Sequence, residues 1–235
     1  MSSVPQPSSN DAPLPKAGLS LPRDIIIAPA RAFAKIAATH EWIPAYAVIV
    51  VATLCTTALV APALVHIAAV TPPPPGTTAP HGAAAIATAQ RGLIATYAVG
   101  QVTIPLLLIL LTASALTTVA RFKAQTTSYV TYVSLAANCM IPSVIGGLLT
   151  AVGIRAHDPA SFTNIQGLLT AVPTNLAIFA NQRNDREVAF LARFDLFDVW
   201  SYVLLAFGFS EIAKLKFATA LGVAFGLSFL FAILF

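Results

Sequence analysis

Charge is what this 235-residue sequence most conspicuously lacks: Asp, Glu, Lys and Arg together make up 9% of it, where a soluble domain carries about a quarter. With 57% hydrophobic residues and a mean hydropathy of +0.80, the scarcity excludes a water-soluble globular domain and implies an integral membrane protein. Cysteine is nearly absent too. Cys55 and Cys139 both fall inside apolar runs, where a free thiol is a small hydrophobe, so neither informs on redox compartment. His40, His66, His81 and His157 stand singly, with no second ligand at metal spacing. The sequence also has no His-Glu-x-x-His, no Gly-x-Ser-x-Gly elbow, no phosphate loop and no dinucleotide fingerprint. The expectation is a chain that is not an enzyme, with no catalytic residue, no metal and no cofactor.

Alternation of polar and apolar residues, which a membrane β-barrel needs, is missing from runs such as "IPAYAVIVVATLCTTALV" and "IPLLLILLTASALTTVA". The spans are therefore helices. A helix needs about 20 mainly apolar residues to cross the hydrocarbon, and five stretches offer this: Trp42–Val70, Ile94–Ala120, Tyr129–Ile154, Leu196–Ala213 and Phe217–Phe235. The fold class is all-α, a polytopic bundle of five transmembrane helices with interfacial amphipathic helices in the N-terminal and extracytoplasmic segments. The first apolar run begins only at Trp42 and is too long for the core of a cleavable signal, so it should remain in the product.

Residues 1–21 are rich in Pro and Ser and have little to bury, which predicts a disordered tail; residues 22–235 form the membrane domain. In "RDIIIAPARAFAKIAATHEW", Pro29 suits the first turn of a helix. Phe33 and Ile36 then share one face, while Arg31 and Lys35 lie on another. This stretch is either an amphipathic helix on the membrane surface or a packed lead-in to the first span. Pro62, Pro105 and Pro142 fall inside the first three runs and predict kinks. Gly222 and Gly226 have the spacing of close-packing helix pairs.

Lys16, Arg23, Arg31, Lys35, Arg121, Lys123, Lys214 and Lys216 fall on one side of this arrangement. The other side holds only Arg91, Arg155, Arg183, Arg186 and Arg193. The bias places the N-terminus in the cytoplasm and, with five spans, Phe235 outside. The same cations explain the net charge of +4 without nucleic acid. On the far side, Thr71–Arg91 with its proline run should be an extended loop. Arg155–Asp195 is too polar and broken to span, and should form short surface helices, one of them placing Val188, Leu191 and Phe194 on a single face with Asp185 as candidate N-cap.

Ionisable groups in the membrane zone deserve suspicion of function by default. Asp195 and Asp198 open the fourth span, where free helix N–H groups favour carboxylates and where Trp200 and Tyr202 mark the interface. They read as helix-start residues, the alternative being a catalytic or metal pair. Glu211 and Lys214 have the spacing of an i, i+3 ion pair. Asn138 suits an interhelical hydrogen bond, or alternatively a substrate contact.

"DLFDVWSYVLLAFGFSEIAKLKFATALGVAF" resembles the C-terminal hallmark of the Yip1 domain family, through Asp195, Leu196, Phe197, Trp200, Gly208, Ser210, Lys216 and Ala220. "APARAFAKIAATHEWIPA" is similar to the family's lead-in, through Pro29, Phe33, Ile36, Trp42 and Pro44. Pro142 and Asn175 also fit. His40, Glu41 and Asp198 depart from the pattern, which bears on subfamily more than on fold. The resemblance covers roughly Arg23 onward and implies five spans with a cytoplasmic N-terminus. It further implies membrane-embedded adaptors, which in eukaryotic members associate with one another and with small GTPases. The chain is closer to the bacterial branch, which points to a bacterial inner membrane. The featureless tail gives no ground for carrying GTPase binding over. Its expected partners are the lipid bilayer and either another membrane protein or itself. The functional expectation is a scaffold or adaptor; the alternative is a small permease or transporter subunit, with Asn138, Pro142 and the two aspartates along a path.

Overall fold

Proline sets the first helix boundaries. In a computed structural model, which describes residues 18–71, 83–181, 184–192 and 194–234, α1 (Ser20–Ile27) closes where Ala28 N donates to Asp24 O at 2.8 Å. The ring of Pro29 drives Ala28 out of the helical region, to φ −149° and ψ 62°. α2 (Pro29–Thr39) then starts afresh with proline in its first turn, where no N–H is required. It ends at His40, whose φ of 56° is left-handed, and the chain enters α3 (Ile43–Val70) with Pro44 in the first turn.

α4 runs from Ala83 to Phe122. It therefore begins well before the expected start at Ile94, and the segment up to Arg91, expected as extended loop, is helical from Ala83. The cause is local, since "AAAIATAQR" consists mostly of strong helix formers. The proline run at residues 72–82 lies outside the described residues. The third apolar run divides at Met140 into α5 (Tyr129–Cys139) and α6 (Ile141–Ala156). Pro142 has no N–H to give to the carbonyl of Asn138, so the ladder breaks there, whereas Pro62 and Pro105 are accommodated inside continuous helices.

The polar segment that follows contains α7 (Ile165–Leu169), α8 (Asp185–Leu191) and two 3-10 turns, Pro159–Ser161 and Leu176–Phe179. The cap of α8 is Asn184 rather than Asp185: the Asn184 side chain accepts from Glu187 N at 3.3 Å. Val188 is fully buried and Leu191 packs beside it. α9 (Leu196–Ala213) and α10 (Phe217–Leu234) complete the chain.

The described residues thus form an all-α protein whose only β pairing is one isolated bridge, Asn175 with Asp195. Four segments are long and apolar enough to cross a membrane: Ile43–Val70, Ala84–Phe122, Tyr129–Ala156 and Leu196–Ala213. α10 is as apolar, but its described apolar stretch, Phe217–Phe231, is shorter. Only 28% of the most apolar window of α3 is buried inside the protein. The remainder of that surface needs lipid around it.

The main core joins α1, α2, α5 and α9 with parts of α3, α4 and α10, and Tyr132 meets Phe209 edge to face at 5.8 Å within it. Leu21, Ile25, Ala32, Phe33 and Ile36 all belong to this core. Ser20 and Leu21, which composition groups with the tail, belong to α1, with Leu21 buried, while residues 1–17 lie outside the described residues. α2 does separate Phe33 and Ile36 from Arg31 as its pattern predicts, but its apolar face meets the bundle.

Candidate functional site

Between α2 and α3 the chain is non-helical over His40, Glu41 and Trp42; His40 N still donates to Ile36 O and Trp42 O accepts from Tyr46 N, but the Glu41 carbonyl needs a partner elsewhere. α5 supplies it. Thr131, Ser134 and Asn138 recur at i, i+3 and i+7, which places them on one face, and all three are buried. Thr131 Oγ1 pairs with His40 Nδ1 at 2.9 Å. Ser134 Oγ donates to Glu41 O at 2.7 Å. Asn138 Nδ2 donates to the same carbonyl at 3.4 Å and to Ser134 O at 2.9 Å. Asn138 thus bonds the link between α2 and α3 and its own helix.

The hinge is held from its other side as well. Glu41 Oε2 accepts from Gly18 N at 2.8 Å, tying the start of α1 to the start of α3. Asp24, only 2% exposed, pairs with Lys35 Nζ at 2.5 Å and lies 3.6 Å from Arg23. The hydrogen bond from Lys35 holds the Asp24 carboxyl below the usual aspartate range. α1 and α2 are therefore one cross-braced pair.

Gly208 explains how that pair meets the bundle. A Cβ built there would fall 2.7 Å from Phe33 Cε1 and would also run into Leu135 Cδ1. Only a hydrogen lets α2, α5 and α9 approach so closely. Phe33 and Gly208, read from opposite ends of the sequence, are in contact. Trp42 stacks obliquely on Tyr46 at 6.0 Å, and Tyr46 OH donates to Val102 O at 3.1 Å, fastening α3 to α4.

Beside this contact lies a groove of about 840 Å³, open between α2, the start of α5 and the end of α9. Pro29, Phe33, His40, Thr131, Phe207 and Glu211 are among its walls. Glu211 and Lys214 do not form the expected ion pair. Lys214 is the left-handed cap of α9, φ 50°, and the change of chain direction takes it off the helical face that i, i+3 spacing assumes.

The remaining motif residues gather at the other end of α9, about 15 Å away along the helix. Asp195 Oδ1 accepts from Phe197 N at 2.7 Å, the bond of an N-cap. Leu176 N donates to Phe194 O and Leu196 N to Thr174 O, at 3.2 and 3.1 Å, so the start of α9 is pinned to the segment before it. Asn175 adds its own bonds to Leu169 O and from Ala177 N, both 3.0 Å. Phe197 lies on Gly146 of α6, where an added Cβ would stand 2.7 Å from its Cδ2. Pro142 is buried in the first turn of α6. Asp198 is half-buried one turn into α9, and Trp200 is exposed.

Sequence reasoning missed two features, Asp24 with Lys35 and the Thr131–Ser134 stripe. The stripe's spacing was readable, but small hydroxyl residues in an apolar helix ordinarily bond their own backbone. Among the described residues no three His, Cys, Asp or Glu side chains gather as metal ligands. What the geometry can do is hold a helix pair rigidly against a membrane bundle with a groove beside it. The Yip1 domain model matches residues 23–235 of the chain. No curated protein and no solved structure matches it.

Proposed function

Because the chain belongs to the Yip1 domain family and is a membrane protein of that type, we propose that it is a non-enzymatic scaffold that organises membrane partners or lipid. The observation that carries this reading is the docking of the α1–α2 pair. Two short helices that could have lain free on the membrane are instead braced by Asp24 and Lys35, latched by Ser134 and packed through Phe33 onto Gly208. Such bracing suits a fixed presentation surface rather than a moving gate. The groove beside it supplies the kind of concave, largely apolar surface that receives a partner.

The positive-inside bias adds the orientation: α10 is the fifth span, the α1–α2 pair faces the cytoplasm and Phe235 lies outside, in a bacterial inner membrane. Cross-linking in native membranes, with mass spectrometry of whatever purifies with the protein, tests the reading. A stoichiometric partner cross-linked to residues 23–40 or 155–195 is the expected result. Solute flux into liposomes that depends on the protein and is abolished by Asn138→Ala would overturn it.

A further inference from the structure

A second cavity, of about 490 Å³, opens at the Asp195 end of the bundle, between α3, α4, α6 and α9 and beneath α7. Most of its wall is apolar, with Val60, Leu64, Leu93 and Ile154 contributing, and Asp195 and Asp198 are its acidic groups. Ser143 lies beside the Asp198 carboxylate. Ser201 Oγ accepts from Ser143 N at 3.1 Å and shares a 2.7 Å hydrogen bond with Ser143 Oγ, which fixes the hydroxyl next to Asp198. Tyr97 and Gln101, one turn apart on α4, also line the cavity.

Two facts distinguish Asp198 from Asp195. Both line this cavity, but Asp195 is engaged as a cap, whereas Asp198 also borders a smaller void of about 230 Å³, so it stands between two spaces rather than against a packed wall. Neither cavity has a Lys, Arg or His among its described lining residues, and Asp198 makes no ion pair. A cation entering there would find the Asp198 carboxylate with Ser143 as its neighbour and no protein cation competing for it. The surroundings suit one class of cation. A calcium ion needs six to eight oxygens, and no three His, Cys, Asp or Glu side chains gather among the described residues. An ammonium group needs a carboxylate, one or two neutral acceptors and, at best, an aromatic face; Asp198 with Ser143 supplies the first two, Gln101 and Tyr97 are further polar and aromatic groups in the same lining, and the apolar wall suits the attached carbon chain.

We propose that this cavity binds the ammonium group of a small amine, with Asp198 as counter-ion; the amine is either a free alkylamine or the headgroup of an ethanolamine lipid. The inference does not rest on the scaffold reading and can fail without it. The test uses the full chain in phosphatidylglycerol nanodiscs, titrated with n-butylammonium chloride by calorimetry against sodium chloride at equal ionic strength. Saturable binding of the amine but not of sodium is expected, weakened about tenfold or more by Asp198→Asn and unchanged in Glu211→Gln at the opposite end of α9. Should Asp198→Asn fail to fold, Gly147→Leu decides. Gly147 lines the cavity and an added Cβ there meets nothing within 4 Å, so leucine should fill the space with the carboxylate intact and abolish binding. A second set of discs containing phosphatidylethanolamine identifies the source: loss of butylammonium binding assigns the site to the headgroup, persistence to the free amine. No saturable binding, equal binding of sodium, or wild-type affinity in either cavity variant would overturn the proposal.

Discussion

Gly208→Ala should loosen the α1–α2 pair from the bundle. The added methyl carbon would stand 2.7 Å from Phe33 Cε1 and 2.9 Å from Cδ1, and would run into Leu135 Cδ1. Leu135 is fully buried and cannot swing aside, and Phe33, 5% exposed, could yield only by leaving its core contacts for the neighbouring groove. Overpacking of this kind costs about 1–3 kcal/mol, equivalent to about a 5- to 150-fold shift of the docking equilibrium. Hydrogen exchange of residues 29–39 in detergent-solubilised protein should accelerate accordingly, and the melting temperature should fall. Phe33→Ala alone should cost about 3–5 kcal/mol through lost packing. In combination the two must be less than additive, because the alanine at 208 no longer meets the ring; a coupling of about 1 kcal/mol is expected. Wild-type exchange over α2 in Gly208→Ala, or strict additivity in the double variant, would refute the close approach of α2 and α9.

Gly146→Ala and Gly147→Ala, adjacent in sequence, should diverge: the first drives a methyl into Phe197 and destabilises by about 1–3 kcal/mol, while the second meets nothing within 4 Å and stays within about 0.5 kcal/mol or gains slightly from helix propensity, as thermal melts would show. Ser134→Ala removes the 2.7 Å bond to Glu41 O and should cost about 1–3 kcal/mol for the carbonyl left with only the longer Asn138 contact, read as a lower melting temperature. The Asp24 carboxyl titrates below its unfolded value because Lys35 hydrogen-bonds the charged form. Its stabilising effect is therefore complete above that unfolded value, about 4, and is lost as pH falls through the folded one; the exchange protection of residues 20–39, relative to the intrinsic rate at each pH, should be flat from pH 7 to 5 and fall below 4, and Asp24→Asn should abolish that fall. Cysteines placed at Lys16 and Phe235, in a background without Cys55 and Cys139, should react with an impermeant maleimide from opposite faces of the membrane; labelling of both from one side would exclude the fifth span.

Much of the fold was legible because its causes are local. Hydropathy located the spanning runs, although α4 starts earlier than expected because the alanine-rich approach to it favours helix without being apolar enough to register. Pro29 announced a first helical turn through its missing N–H, whereas of the three prolines expected to kink spans only Pro142 divides one. Asp195 announced a helix start, and its bond to Phe197 N follows from chain geometry within three residues. The cap of α8 was misplaced by one position because Asn184 and Asp185 are equally suitable chemically, and only the backbone angles choose between them. The Glu211–Lys214 spacing promised a pair that the left-handed turn at Lys214 prevents.

By itself, then, the sequence determined that this chain enters a membrane as helices and which residues at its two ends form the motif of one family. Each of these depends on groups a few residues apart, whose energies scarcely depend on the rest of the molecule. Only the tertiary structure decided that α1 and α2 are docked rather than free, that Ser134 secures a carbonyl 93 residues away, that Phe33 needs a glycine at 208, and that Asp198 faces a cavity while Asp195 caps a helix. Those outcomes turn on shape and on distances between side chains remote in the chain, and one-dimensional spacing carries no information about how closely two helices approach.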